Sequence, residues 1–237
     1  FFLFIIKKYN INLILVFITI PIQQSFKNYF KCKNSVLSDA ANDNYIPFNN
    51  KIIKNIGYVG SFNKGRGLEL IAKLSERLPN YTFHIFGGDI IQFRKIVNKK
   101  INTNIKVHGK IYPKNISNIF KIFQIAIAPY ENKVAVKNNS DTSKFMSPLK
   151  IFEYMASNKV IISTNHSVLK EVLTDKKNSF LINYNNIEEW INTISFISNN
   201  LEMAKSIASN SYEDFKKKYS WDIRAKEIIH CFNYLTK

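Results

Sequence analysis

Tyr58-Val59-Gly60-Ser61-Phe62-Asn63-Lys64-Gly65-Arg66-Gly67 sets an apolar run, a glycine-rich turn and the start of a helical pattern in direct succession. The run Ile56–Val59 has the β-branched and aromatic content of a buried strand. Beyond the turn, Leu68, Ile71, Ala72, Leu74 and Leu78 share one helical face that stops at Pro79. A strand, a tight turn and a helix make the opening unit of a parallel α/β sheet, whose ligands bind at the carboxyl ends of its strands. Glycine lets a backbone come close to a ligand, and a helix start offers free N–H groups to an anion. Lys64 and Arg66 add cationic donors, and a guanidinium can grip two phosphate oxygens. The spacing is neither Gly-x-Gly-x-x-Gly nor a Walker loop, so the pattern alone favours a tight turn over a phosphate loop.

Outward from this unit the alternation continues. Further strands are expected at Tyr81–Phe86, Ile105–His108, Ile125–Ala128, Val160–Ser163 and Phe180–Ile182. Helical faces lie between them at Ile116, Ile119, Phe120 and Phe123, and at Ile151, Phe152, Met155 and Ala156. Right-handed crossovers then give a Rossmann-like, doubly wound parallel sheet. The tail from Ile187 reads as two or three helices, with Ser220 as N-cap of the last. At the amino end a helix end (Phe1–Lys8) and a buried strand (Leu13–Ile20) are expected, then a final strand running from Val36 into a linker. The expected division is therefore residues 1–46 as a remnant of a preceding domain, 47–215 as the sheet domain and 216–237 as a helix packing back toward the first. Residue 1 reads as a cut within a longer protein.

The 237 residues carry 46% hydrophobic content, enough to bury a full core and to exclude wholesale disorder. Two cysteines exclude a disulfide scaffold and a multi-cysteine zinc site. The net charge of +17 favours anionic partners, although heavy use of Asn, Ile and Lys inflates it. Many of the 19 Phe fall on apolar faces, so they read as core and not as a nucleic-acid stacking platform. Neither apolar run at the amino end reaches the roughly 18 residues of a membrane-spanning helix. Phe1–Phe4 beside Lys7 and Lys8 suits peripheral contact with anionic lipid.

A second constellation runs Ser147-Pro148-Leu149-Lys150-Ile151-Phe152-Glu153-Tyr154-Met155-Ala156. Ser followed by Pro reads as an N-cap and N1 pair opening a helix after the strand Ile125–Ala128. Lys150 in a first turn opposes the helix dipole, a conflict that a bound anion removes. Glu153 lies one turn on, where a carboxylate can accept both hydrogen bonds of a vicinal diol such as a ribose. The plain alternative is an ordinary Lys150–Glu153 surface pair.

Taken in order, Tyr58-Val59-Gly60-Ser61-Phe62, Lys64-Gly65-Arg66-Gly67, Phe83-His84-Ile85-Phe86-Gly87-Gly88, Val107-His108-Gly109, Ile127-Ala128-Pro129-Tyr130, Ser147 to Ala156, Val160-Ile161-Ile162-Ser163 and Glu171-Val172-Leu173 resemble the carboxyl-terminal half of a family 4 (group 1) glycosyltransferase of the GT-B fold. The resemblance runs from about residue 52 to the end. It implies a nucleotide-sugar donor, UDP- or GDP-linked, and a glycan or lipid-linked acceptor, with no cofactor. It implies that Gly60, Ser61, Arg66, Ser147, Pro148, Leu149 and Lys150 face the donor diphosphate. Glu153 then matches the second Glu of a Glu-x7-Glu motif and holds the ribose, while Gly87, Gly109, Lys110 and Ile111 hold the base. The first Glu of that motif is replaced by Phe145, and Ser61 stands where an Arg is common.

No Asp-x-Asp occurs in the sequence. The resemblance implies metal-independent transfer with retention, in which Arg66, Lys150 and Lys144 supply the electrostatic stabilisation of the leaving diphosphate. No catalytic base is assigned. His84 reads as a core histidine, and His108, ahead of Gly109, as core or as a donor-facing residue. The implied setting is polysaccharide biosynthesis in the cytoplasm, at the inner face of the cell membrane. Competing readings are a GT-B-type nucleotide-sugar epimerase and a non-catalytic basic module that binds nucleotide or membrane.

Overall fold

Ile, Val, Phe and Ala concentrate in six short runs, and each run forms a strand of one parallel sheet. The computed structural model describes residues 13–29, 32–49, 53–98, 101–112, 115–135 and 141–236. The sheet comprises β3 (Asn55–Val59), β4 (Thr82–Phe86), β5 (Ile105–Val107), β6 (Ile125–Ala128), β7 (Val160–Thr164) and β8 (Phe180–Ile182), in the order β5-β4-β3-β6-β7-β8. Every pairing is parallel. The order reverses between β3 and β6, which makes that gap the switch point where ligands of such sheets sit.

The helices α2 (Leu68–Arg77), α3 (Ile90–Val97), α4 (Ile116–Phe120), α5 (Leu149–Ala156), α6 (Ile187–Asn199) and α7 (Leu201–Lys218) cover the sheet. Two apolar layers result. Ile56, Tyr58, Ile125 and Ile127 pack with Ile71, Leu74 and Trp190 on one face. Val59, Ala126 and Ala128 pack with Phe123, Phe152 and Met155 on the other. The alternation of Ile and Ala along β6 is the period of two expected of a strand. Small residues on the second face make room for rings, since a Cβ at Gly57 would run into the Phe123 ring.

A smaller parallel pair joins β1 (Ile14–Phe17) to β2 (Lys33–Val36) through α1 (Ile20–Phe26). The last helix, α8 (Trp221–Thr236), reaches back to this segment. Ser220 Oγ caps it by accepting from Ile223 N–H at 3.3 Å, and Arg224 donates to the carbonyls of Leu37 and Ser38. The break between α7 and α8 falls at Tyr219–Ser220, so the last helix starts where Ser220 is expected to cap it.

Several expectations need correction. The strand expected over Leu13–Ile20 is only Ile14–Phe17 and is half-buried, because Thr19 and Pro21 open α1 instead. The strand expected from Val36 ends there. It begins at the polar, exposed Lys33, and residues 37–43 belong to no strand, with one bridge from Ala41 to Ser220. Helix α3 was not anticipated, although Asp89 and Gln92 form a complete capping box at its start. Helix α5 starts one residue late: Pro148 is its N-cap in extended conformation, and Ser147 is not a cap. The expected helix Phe1–Lys8 and residues 50–52 of the expected linker lie outside the described residues.

Candidate functional site

The carboxyl ends of β3 and β6 diverge at the switch point. Their pairing covers Ile56–Ile125 and Gly57–Ala126. Val59 N–H donates instead to Tyr154 Oη of α5 at 2.8 Å, and that hydroxyl faces the carbonyls of Ile127 and Val59 at 3.4 and 3.5 Å. Tyr154 thereby satisfies a buried amide where the sheet opens, and it seats α5 against the opening.

Three glycines build the floor. A Cβ at Gly60 would stand 2.6 Å from Lys150 Nζ and 2.8 Å from Cε. A Cβ at Gly87 would collide with the Gly60 carbonyl, and Gly87 N–H donates to Gly109 O at 2.7 Å. The turn that follows is held from the β6 side: Glu131 N–H donates to Gly65 O at 3.0 Å and Ala135 N–H to Lys64 O at 3.2 Å. Gly67 caps α2 in the left-handed region, φ 77°, with Pro129 O where a Cβ would go. These contacts fix the direction in which Arg66 leaves the turn.

Arg66 and Lys150 converge. Lys150 Nζ lies 4.0 Å from the Tyr58 ring centroid and 5.1 Å from that of Tyr130, while Arg66 Cζ lies 5.5 Å from the Tyr130 centroid. Both tyrosines are fully buried. Lys150 Nζ and Arg66 Nε are each buried with no hydrogen-bond partner. Burial, reinforced by the neighbouring Arg66, pushes the Lys150 ammonium well below its ordinary range, and Glu153 opposes that shift. Removing an ammonium from water costs several kcal/mol. A ring face returns only about 2 kcal/mol even when desolvated. Glu153 offsets Lys150 in part, but neither buried nitrogen has a hydrogen-bond acceptor, which an anion would supply together with its charge.

Glu153 stands one turn along α5, and burial pushes its carboxyl up against the opposing pull of Lys150. It lines a cavity of about 340 Å³ with Asn42, Asn44, Ser117, Leu149 and Ser157. The plain surface pair is thus not what forms: the described ion pairs join Arg77 to Glu188 and Lys216 to Glu213.

The remaining expected site residues are distributed around this centre. Ser61 is exposed; its carbonyl accepts from Tyr58 Oη at 3.0 Å. Leu149 opens α5 and is 51% exposed at the cavity rim. Ser147 Oγ accepts from Asp39 N–H at 3.4 Å, and Ser147 and Pro148 line a narrow crevice beside Thr19 and Ser38. They face the amino-terminal segment because Pro148 turns the chain before the helix begins. Gly109 has open space around it, Lys110 is exposed and Ile111 packs partly against the second apolar layer. Lys144 is exposed. Tyr58 and Tyr130 were not anticipated as site residues. Their signal was positional, since each stands at the carboxyl end of a switch-point strand.

His84 is buried. Its Nδ1 lies 2.9 Å from His108 Nε2 and its Nε2 3.2 Å from Asn55 Oδ1, so both rings carry their proton on Nε2. Burial lowers the His84 pKa to about 4, with His108 and Lys106 adding to the shift. Among the described residues no cluster of three or more His, Cys, Asp or Glu is placed to hold a metal ion, and no helix is long and apolar enough to cross a membrane.

Comparison with known proteins bears on family and fold. The profile of the family "Glycosyl transferases group 1" matches residues 53–200. A candidate teichuronic acid biosynthesis glycosyltransferase of Bacillus subtilis, TuaH, is 24% identical over 114 residues, which cover 46% of this chain and 26% of that protein. Among solved structures, a mutant of S. aureus TarM in complex with fondaparinux, alpha-GlcNAc-glycerol and UDP superimposes with a TM-score of 0.70 at 18% identity, over 92% of this chain and 43% of that one. HepE of Anabaena in complex with UDP and glucose gives 0.72 at 13% identity, over 92% and 62%. At these identities the likeness to the solved structures is one of fold, that of the carboxyl-terminal part of GT-B proteins. The chain spans about a quarter of the length of TuaH and less than half of TarM.

Proposed function

The chain belongs to the group 1 glycosyl transferases, and from that premise we propose that it forms the nucleotide-sugar-binding part of a glycosyltransferase acting on a glycan or lipid-linked acceptor. The observation that carries this reading is the meeting of Lys150 and Arg66, each with a buried, unpartnered nitrogen, beside Gly60 at the switch point. In this reading the two cations and the start of α5 take the diphosphate, whose negative charge grows as the sugar leaves. Glu153 accepts from the ribose hydroxyls, and the Gly87–Gly109 edge approaches the base through its backbone. Transfer proceeds with retention and without a metal, the fixed cations doing the work that a divalent ion does elsewhere. The donor is UDP- or GDP-linked; UDP is named in the TarM and HepE structures. The acceptor belongs to a cell-envelope polysaccharide, in keeping with the name of TuaH, and the work is done at the cytoplasmic face of the membrane.

A thermal-shift and calorimetric panel of UDP and GDP tests the reading. One of the two nucleotides raises the melting temperature by mass action, excess EDTA leaves the shift intact, and Lys150→Met removes it. If neither nucleotide binds, the phosphate site is wrong. If EDTA abolishes binding, the metal-free account is wrong.

A further inference from the structure

Lys150 is unusual for a phosphate-binding lysine in its surroundings. Its amine does not wait in water. It lies against two fully buried tyrosine rings, one of them shared with Arg66, and has no hydrogen-bond acceptor on Nζ. The titratable and charged groups around it are Tyr58 from β3, Arg66 from the turn before α2, Tyr130 from the loop after β6, and Glu153 on its own helix. The rings attract a cation, whereas the missing water and the like charge of Arg66 oppose one.

We propose that Tyr58 and Tyr130 are positioning residues that hold the Lys150 amine dry and without a hydrogen-bond partner in the free protein, so that a bound pyrophosphate draws a proton from solution onto Nζ. The inference rests on the phosphate-site reading above and deepens it. The proton comes from the buffer acid and adds to the nitrogen lone pair, making the third N–H bond; no bond in the protein breaks. The anion supplies the charge and the acceptors that make the ammonium stable, so nucleotide binding and proton uptake occur together.

The direction of the Lys150 shift agrees with this geometry. Near pH 8 the groups that meet the phosphate do not compete with Lys150, and Lys150→Arg separates its proton from that of Lys159, whose pKa burial lowers to about 8. The nucleotide phosphates are already ionised there, burial holds the Tyr58 and Tyr130 hydroxyls well above that pH, and arginine does not titrate.

The test is calorimetric titration of the full chain with UDP and with GDP at pH 8, in buffers of different ionisation enthalpy at constant ionic strength. The expected result is a binding heat that varies with buffer and reports uptake approaching one proton. Affinity then falls by up to about tenfold per unit rise in pH over the range where the free amine is neutral. Lys150→Arg should bind with no uptake, because a guanidinium is always charged. Tyr130→Leu, which opens the cage, should reduce the uptake, and Tyr130→Phe, which keeps the ring, should preserve it. Binding by the unaltered chain with buffer-independent heat would overturn the proposal while leaving the phosphate site standing, and needs no variant to fold. Uptake that persists in Lys150→Arg would also overturn it. Binding of neither nucleotide would remove the phosphate site, and the proposal with it.

Discussion

A single hydrogen atom at residue 60 sets the depth to which Lys150 can enter. Any side chain there would stand 2.6 Å from Nζ at a φ of 155°, which L-residues rarely adopt. Gly60→Ala should therefore cost about 1–3 kcal/mol of stability as backbone strain. It should also push the amine away from the rings. Urea unfolding reads the first effect and UDP or GDP titration the second; a variant that binds nucleotide unchanged would show that the lysine's depth is immaterial. Glu153 separates function from folding more cleanly. Its carboxyl is already held against burial, so deleting it relieves a desolvation cost while removing the group proposed for the ribose. Glu153→Ala should weaken nucleotide binding by about 1.5–3 kcal/mol with little loss of stability. An unchanged affinity would reduce Glu153 to a wall of the cavity.

Helix α5 joins the site to the sheet through one hydroxyl. Tyr154→Phe keeps the ring and leaves Val59 N–H buried without its 2.8 Å partner, so it should destabilise the protein by about 1–3 kcal/mol. A loss well below that range would mean that β3 closes onto β6 without help. At this scale the sequence was informative wherever apolar periodicity decides. Ile125–Ala128 and Phe180–Ile182 match the expected strands, and the other four differ by a residue at one end. It was less informative where local capping chemistry has competing uses. Ser147 followed by Pro148 has the form of a cap, yet its hydroxyl serves Asp39, a residue more than a hundred positions earlier. Helix α3 was overlooked because only Phe93 and Val97 of its eight residues are buried, too few to give a clear apolar stripe. Of the site, Gly60, Arg66, Lys150 and Glu153 were legible from glycine placement, charge and resemblance. The cage was not, since Tyr58 and Tyr130 are 72 positions apart and meet only because β3 and β6 are neighbours in the sheet.

Across the molecule, 34 cationic side chains face 17 acidic ones, so the fold bears net repulsion and its stability should rise with added salt. Its dependence on pH is decided by the interior. His84 lies in the sheet core with its two nitrogens committed to His108 and Asn55, and burial depresses its pKa from 6.5 to about 4. The folded state thus prefers neutral His84, whereas the unfolded chain binds a proton near pH 6.5. The stabilisation is complete above the unfolded value and is lost progressively as the pH falls from 6.5 toward 4. Depression of the His108 pKa acts in the same direction. Glu131 and Glu153 act oppositely: burial raises their pKa values, so acidification relieves the cost of their charge. The bare melting curve of the unaltered chain mixes these contributions. The difference between it and His84→Phe reports the linked His84–His108 pair, because the carboxyl contributions are common to both. At constant ionic strength, the melting temperature of the unaltered chain should fall relative to His84→Phe between pH 6.5 and 4. Parallel curves over that window would show that the buried imidazole takes its proton without cost to the fold.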